Sequence, residues 1–174
     1  MPPRNHKKWL ATPKIEYISS ECYNNYEIYE QEIEHIFAKV WVPMCHKSEM
    51  ANKGDFRTSQ IAFQNVVAVN HGDGIKAYLC PQMDRLTGNG ISVDGLTELH
   101  SAVQHGGMVW VTLDPNPSQS IDEWTCGAFD CIAEAIDTEE MEVFHYHKSI
   151  IDTNYKLWHD TNSEFYHDFM HYHN

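Results

Sequence analysis

The 174-residue chain contains no run of eighteen or more apolar residues, so no membrane-spanning helix is expected. Its basic opening, Met-Pro-Pro-Arg-Asn-His-Lys-Lys, lacks the apolar segment that would follow it in a signal peptide. Basic residues are few: 12 Lys and Arg stand against 25 Asp and Glu, a formal net charge of −13. That balance argues against a nucleic acid or an anionic membrane as partner, because both require clustered Lys and Arg. Cysteine pairing is missing as well. Cys22, Cys45, Cys80, Cys126 and Cys131 are odd in number and scattered, which suits reduced thiols in a cytoplasmic setting better than a disulfide framework.

What is present is a folding composition, 42% hydrophobic and 12% aromatic, in one domain's worth of chain or slightly more. Twelve histidines are many for this length, and they gather late, at His145, His147, His159, His167, His171 and His173.

Residues 1–20 carry Pro2, Pro3 and Pro13 and read as an arm without a core of its own. Ile28, Ile33, Ile36, Phe37 and Val40 recur at helical spacing, which predicts a helix over 24–40 that Pro43 cannot extend. Residues 61–69 and 75–79 predict two strands joined through His71-Gly72-Asp73-Gly74. Residues 95–100 and 107–113 read as strands. Ser120-Ile-Asp-Glu123 is a capping-box pattern that opens a helix, interrupted near Gly127 and resuming to Ile136. Alternation over 141–151 predicts a strand, and Asp152, Thr153 or Asn154 is placed to cap a final helix. Cys126 and Cys131 are expected to be buried, unreactive thiols.

That final helix carries the chemistry. At about 100° per residue, Asp160, Glu164, His167 and His171 share one stripe, with Trp158, Phe165, Phe169 and Tyr172 opposite, available to a core. Two imidazoles one turn apart can share a divalent ion. A further carboxylate would complete the 2-His-1-carboxylate set that suits Fe(II) and O₂. The same spacing also fits an amphipathic helix with a wet polar face.

The run Asn154-Tyr155-Lys156-Leu157, with Asp160, Glu164, Tyr166-His167 and His171, resembles the iron-site helix of Rieske-type non-haem iron oxygenase large subunits. Tyr155, Asp160 and Thr161 stand where that family usually has Trp, Glu and Asn. Residues 36–41, Gly54-Asp55-Phe56 and the strand at 107–113 are similar to its N-terminal half. The resemblance implies an α+β fold: a Rieske-type antiparallel β domain, then the start of a helix-grip catalytic domain. The implied division is 1–41 as arm and helix, 42–118 as β domain and 119–174 as the start of the catalytic part.

By the same resemblance His167 and His171 are ligands to mononuclear Fe(II). Glu164 is the bridging carboxylate for electrons, and Asp160 supports the site from behind. Also implied are O₂ and a small organic substrate (an aromatic acid or alkanesulfonate), a ferredoxin or reductase as donor, and a homotrimer or α₃β₃ assembly. The family's [2Fe–2S] cluster is excluded for this chain. No cysteine is followed by His at +2 or +3, so neither Cys-x-His nor Cys-x-x-His exists. Between Cys80 and Gly95 there is room only for a loop where the family carries both cluster fingers. The family's third iron ligand, an Asp or Glu far downstream, has no counterpart here, and the chain alone is expected to be inactive. The alternative is a non-enzymatic module that binds Zn(II) or Ni(II) through His145, His147, His167 and His171; on a strand, His145 and His147 would share one face.

Overall fold

A computed structural model describes residues 19–82, 86–87, 90–136 and 139–163. They fall into two compact units, one of residues 19–29 with 150–163, the other of residues 30–149.

The larger unit is a six-stranded, wholly antiparallel sheet. Its strands are β1 (Val42–His46), β2 (Phe56–Ile61), β3 (Gln64–Asn70), β4 (Ile75–Leu79), β7 (Thr97–Val103) and β8 (Met108–Thr112), in the order β1-β8-β7-β4-β3-β2. A separate two-stranded ribbon, β5 (Leu86–Thr87) with β6 (Gly90–Ile91), occupies the stretch expected to be a loop. The outermost strands β1 and β2 approach each other, so the sheet curls toward a barrel.

Alternation along β3 explains how the sheet is held. Val66 and Ala68 point into one apolar cluster with Cys45, Met50, Ile61, Ala77, Val109 and Val111. Val67 and Val69 point the other way, to Tyr78 and Cys80 beneath Phe56, Ile91, Val93 and Leu96. Both faces of this strand are buried, which is why it reads as a continuous Val-rich run rather than as alternation. A third cluster seats α3 (Ile121–Thr125) and α4 (Ala128–Ala135) on the sheet. Trp41, Ile121 and Phe129 pack there with Ala102 and Trp110, and the Trp110 and Phe129 rings meet edge-on at 5.5 Å.

Several expectations need correction. The helix over 24–40 is α2 (Tyr26–Glu32) followed by a π-helical turn (Ile33–Phe37), behind a short α1 (Glu21–Asn24). It stops before Pro43, which lies in edge strand β1 beside an irregularity in the ladder, where a missing N–H is tolerated. The strand expected over 61–69 is broken. Ala62 and Phe63 take positive φ, 46° and 64°, and turn the chain between β2 and β3, whose ladder runs from Phe56↔Val69 to Ile61↔Gln64. A two-residue connection of this handedness suits the twist of an antiparallel pair, although neither residue is a usual choice for it. Residues 141–151 form no strand and pair with none among the described residues; Phe144 and Ile150 are almost fully exposed. Alternation provides a strand face, but a strand also needs a neighbour for its backbone groups. Cys126 and Cys131 are exposed, because α4 turns only Phe129 to the sheet and Cys126 sits in the left-handed link before it.

Other expectations are met. Ser120 accepts from the Glu123 amide, and Glu123 Oε2 accepts from the Ser120 amide at 2.8 Å, the reciprocal capping box. The helix breaks at Cys126-Gly127 and resumes at Ala128. No helix among the described residues is long and apolar enough to cross a membrane.

Candidate functional site

The smaller unit holds α5 (Tyr155–Ser163), the start of the predicted metal-binding helix. Asn154 caps it by accepting from the Lys156 amide at 2.8 Å. Its last turn is held by side chains bonded back to the carbonyls four residues earlier: Thr161 to Leu157, Asn162 to Trp158 and Ser163 to His159, each at 2.8 Å. No side chain of α5 is buried. Trp158, expected in a core, is 57% exposed, because no described neighbour covers that face.

Three long-range bonds reach α5 from residues 22–23. Asn154 Nδ2 donates to the Tyr23 carbonyl at 2.6 Å. Lys156 Nζ donates to the Cys22 carbonyl. The Tyr23 hydroxyl donates to Asp160 Oδ2 at 2.7 Å. The Asp160 bond, with partial desolvation, pushes the Tyr23 hydroxyl above its ordinary pKa. Beside these contacts lies a cleft of about 310 Å³ lined by Tyr23, Tyr26, Tyr29, Thr153, Asn154 and Tyr155.

Of the predicted stripe, the structure therefore shows Asp160 alone, on α5 and engaged with Tyr23. Glu164, His167 and His171 lie outside the described residues, as do Phe165, Phe169 and Tyr172 on the opposite face. His145, His147 and His159 are exposed. Among the described residues, no three His, Cys, Asp or Glu side chains come together to hold a metal ion. The sequence reading missed the Tyr23–Asp160 pair, which joins positions 137 apart; no local pattern marks such a contact.

The larger unit has a cleft of about 750 Å³ lined by Lys47, Ser48, Asn70, Val103, Glu140 and Glu142, which contains none of the predicted ligands. Its buried histidine, also missed, is structural. His46 Nδ1 lies 2.9 Å from Ser48 Oγ, and Nε2 meets the Gly106 carbonyl. The buried thiols are equally plain. Burial pushes Cys45 up to about 12, and fully buried Cys80 donates to the Gln82 carbonyl.

No family model matches the chain. Among solved structures, a quaternary ammonium Rieske monooxygenase with L-carnitine bound superposes with a TM-score of 0.71 at 20% identity, over 85% of this chain and 53% of that one. Naphthalene 1,2-dioxygenase from Rhodococcus sp. gives 0.64 at 19% identity, over 83% and 42%. These likenesses show the fold. In sequence, the chain is 28% identical over 91% of its length to the α subunit of 2-aminobenzenesulfonate 2,3-dioxygenase from Alcaligenes sp. With the closer relative below, the fold and the sequence agree: the chain belongs to the α subunits of Rieske-type non-haem iron oxygenases. That relative is the hydroxylase α subunit of methanesulfonate monooxygenase from Methylosulfonomonas methylovora, 39% identical across the whole chain. The chain spans about half the length of these curated relatives, 55% and 50%. The alignment with the methanesulfonate enzyme runs over 227 residues, more than the chain's own 174, so the relative carries residues within the matched span that this chain lacks.

Proposed function

We propose that this chain is part of an oxygenase α subunit that supplies two histidine ligands, His167 and His171, to mononuclear Fe(II) and holds no [2Fe–2S] cluster. The observation that carries the reading is the 39% identity over the full chain to an oxygenase α subunit. The donor chemistry agrees: two imidazoles at i and i+4 with carboxylates on the same stripe fit Fe(II). Bound there, Fe(II) supplies O₂ activation, the chemistry this family uses for hydroxylation. Glu164, three residues before His167, is the proposed carboxylate link for electrons, and Asp160 orients the helix.

The residues do not fit a Rieske cluster, which needs two thiolates and two imidazoles. No Cys-x-His or Cys-x-x-His occurs, and burial keeps Cys45 a thiol. The residues that the methanesulfonate enzyme carries within the matched span are the proposed location of the missing fingers. Without a cluster, this chain alone has no electron supply for the iron. Both first relatives are named for a sulfonate, so a small sulfonate is the proposed substrate class of the intact subunit. A ferredoxin or reductase donor and a homotrimer or α₃β₃ assembly are its proposed partners. Free cysteines throughout accord with a cytoplasmic setting.

Anaerobic Fe(II) titration tests the reading. Weak binding is expected, abolished by His167→Ala and untouched by His145→Ala. Equal losses from the two substitutions would instead favour the His-rich module.

A further inference from the structure

We infer that residues 139–149 form the contact of a two-fold dimer of this chain, pairing antiparallel with the same segment of a second copy in a register centred on His145. The inference does not depend on the metal-site reading above.

The segment is a strand edge without a neighbour. No helix, turn or bend interrupts residues 139–151 and no residue there has positive φ, so the backbone runs extended. Residues 139–149 include neither Pro nor Gly, and Val143, Phe144 and Tyr146 favour strands. Two contacts hold the segment to the sheet unit. Lys47 Nζ bonds Glu140 Oε1 at 3.1 Å, and the Val143 amide donates to Ser48 Oγ at 3.0 Å. In an extended chain the backbone groups of successive residues point to opposite sides. With Val143 turned toward Ser48, residues 142, 144, 146 and 148 turn their N–H and C=O groups away. Among the described residues no backbone group meets them, and Phe144 is 99% exposed. An exposed edge of this kind is a template for another strand.

Charge selects that strand as a second copy of the same one. A register centred between two residues would set outward positions against inward ones, so the centre must fall on a residue. Centred on His145, Glu142 lies opposite the partner's Lys148 and Phe144 opposite the partner's Tyr146, and the two-fold axis repeats both pairs. Centred on Phe144, Lys148 would instead face Glu140, which already holds Lys47. A two-fold contact cannot by itself build a three-fold ring, so this dimer is distinct from the trimer proposed for the intact subunit.

Analytical ultracentrifugation at low salt tests the pairing on the full chain, Glu142→Lys, Lys148→Glu and an equimolar mixture of these two variants. The unaltered chain should pass with concentration from 20.2 kDa to twice that mass. Each single substitution sets like charges opposite each other at both symmetry-related positions and should weaken the dimer by about 10- to 30-fold. The mixture should recover it as a heterodimer, because each substituted position then faces an opposite charge. General repulsion predicts otherwise for Glu142→Lys, which reduces the net charge of −13 and would strengthen any association governed by that charge alone. Both positions are exposed, so neither change touches the packed clusters. A chain that stays at 20.2 kDa overturns the inference, as does a dimer indifferent to the single substitutions or a mixture no tighter than its components. Slow hydrogen exchange at the amides of residues 144, 146 and 148 in a monomer would also overturn it, because another part of this chain would then cover the edge.

Discussion

Gly107 sits where the β7–β8 connection closes over His46, and replacing it with alanine separates two physical costs. Its φ is +88°, in the left-handed region, where an L side chain costs about 1–2 kcal/mol. A Cβ built there would lie 2.5 Å from His46 Nε2, 2.8 Å from His46 Cε1 and 2.8 Å from Lys47 Cγ, so the ring must move. His46 is 6% exposed and meets Ser48 and the Gly106 carbonyl; a buried ring displaced from its partners costs about 1–3 kcal/mol more. The sum for Gly107→Ala is about 3 kcal/mol, a large part of the roughly 5–15 kcal/mol that holds a domain together. Gly54 has a similar φ, +91°, with open space around its Cβ position, so Gly54→Ala should cost about 1 kcal/mol, the backbone cost alone. Gly74 has neither feature, and Gly74→Ala should be neutral or stabilising by up to about 1 kcal/mol. Urea unfolding followed by tryptophan fluorescence reads all three, since Trp41 and Trp110 lie in the cluster beneath α3 and α4. Equal midpoints for Gly107→Ala and Gly54→Ala would refute the steric closure over His46.

The turn at Ala62-Phe63 is built from residues that resist positive φ, so Ala62→Asn with Phe63→Gly should raise stability by about 1 kcal/mol, read as a higher urea midpoint; a fall would contradict this turn geometry. Thiol labelling of the native chain should modify Cys126 and Cys131 quickly, while Cys45 and Cys80 react only on unfolding; four fast thiols would mean that the barrel is open. The Ser120 amide and hydroxyl hold Glu123 below its ordinary pKa, and the Asn116 amide, then Lys39, does the same for Asp114. Their stabilising effect is complete above the unfolded carboxylate pKa of about 4 and is lost as pH falls through the lower folded values, so Glu123→Gln with Asp114→Asn should flatten the acid limb of stability against pH. An unchanged limb in urea midpoints across that window would contradict these contacts.

How far the sequence led depends on whether the cause was local. The Ser120–Glu123 box, the Gly127 break, a cap within residues 152–154 and the Val-rich β3 were legible because caps, breaks and burial are written within a few residues; the structure selects Asn154. The Ala62-Phe63 turn was not, because tertiary pairing of β2 with β3 overrides the preference of those two residues. Exposure of Cys126 and Cys131 follows from which face of α4 meets Trp110, and of 141–151 from the lack of a described pairing partner; neither is a property of the segment itself. At the site, the proposed ligand types and their spacing came from the sequence, and the structure places Asp160 on its helix. Its bond to Tyr23 required the fold to bring distant positions together.

Iron and acid-labile sulfide counted on the chain after anaerobic reconstitution with both test the central claim most directly. The account predicts bound iron without stoichiometric sulfide, falling to background in His167→Ala. Sulfide rising in proportion to iron, or iron that survives His167→Ala, would contradict it.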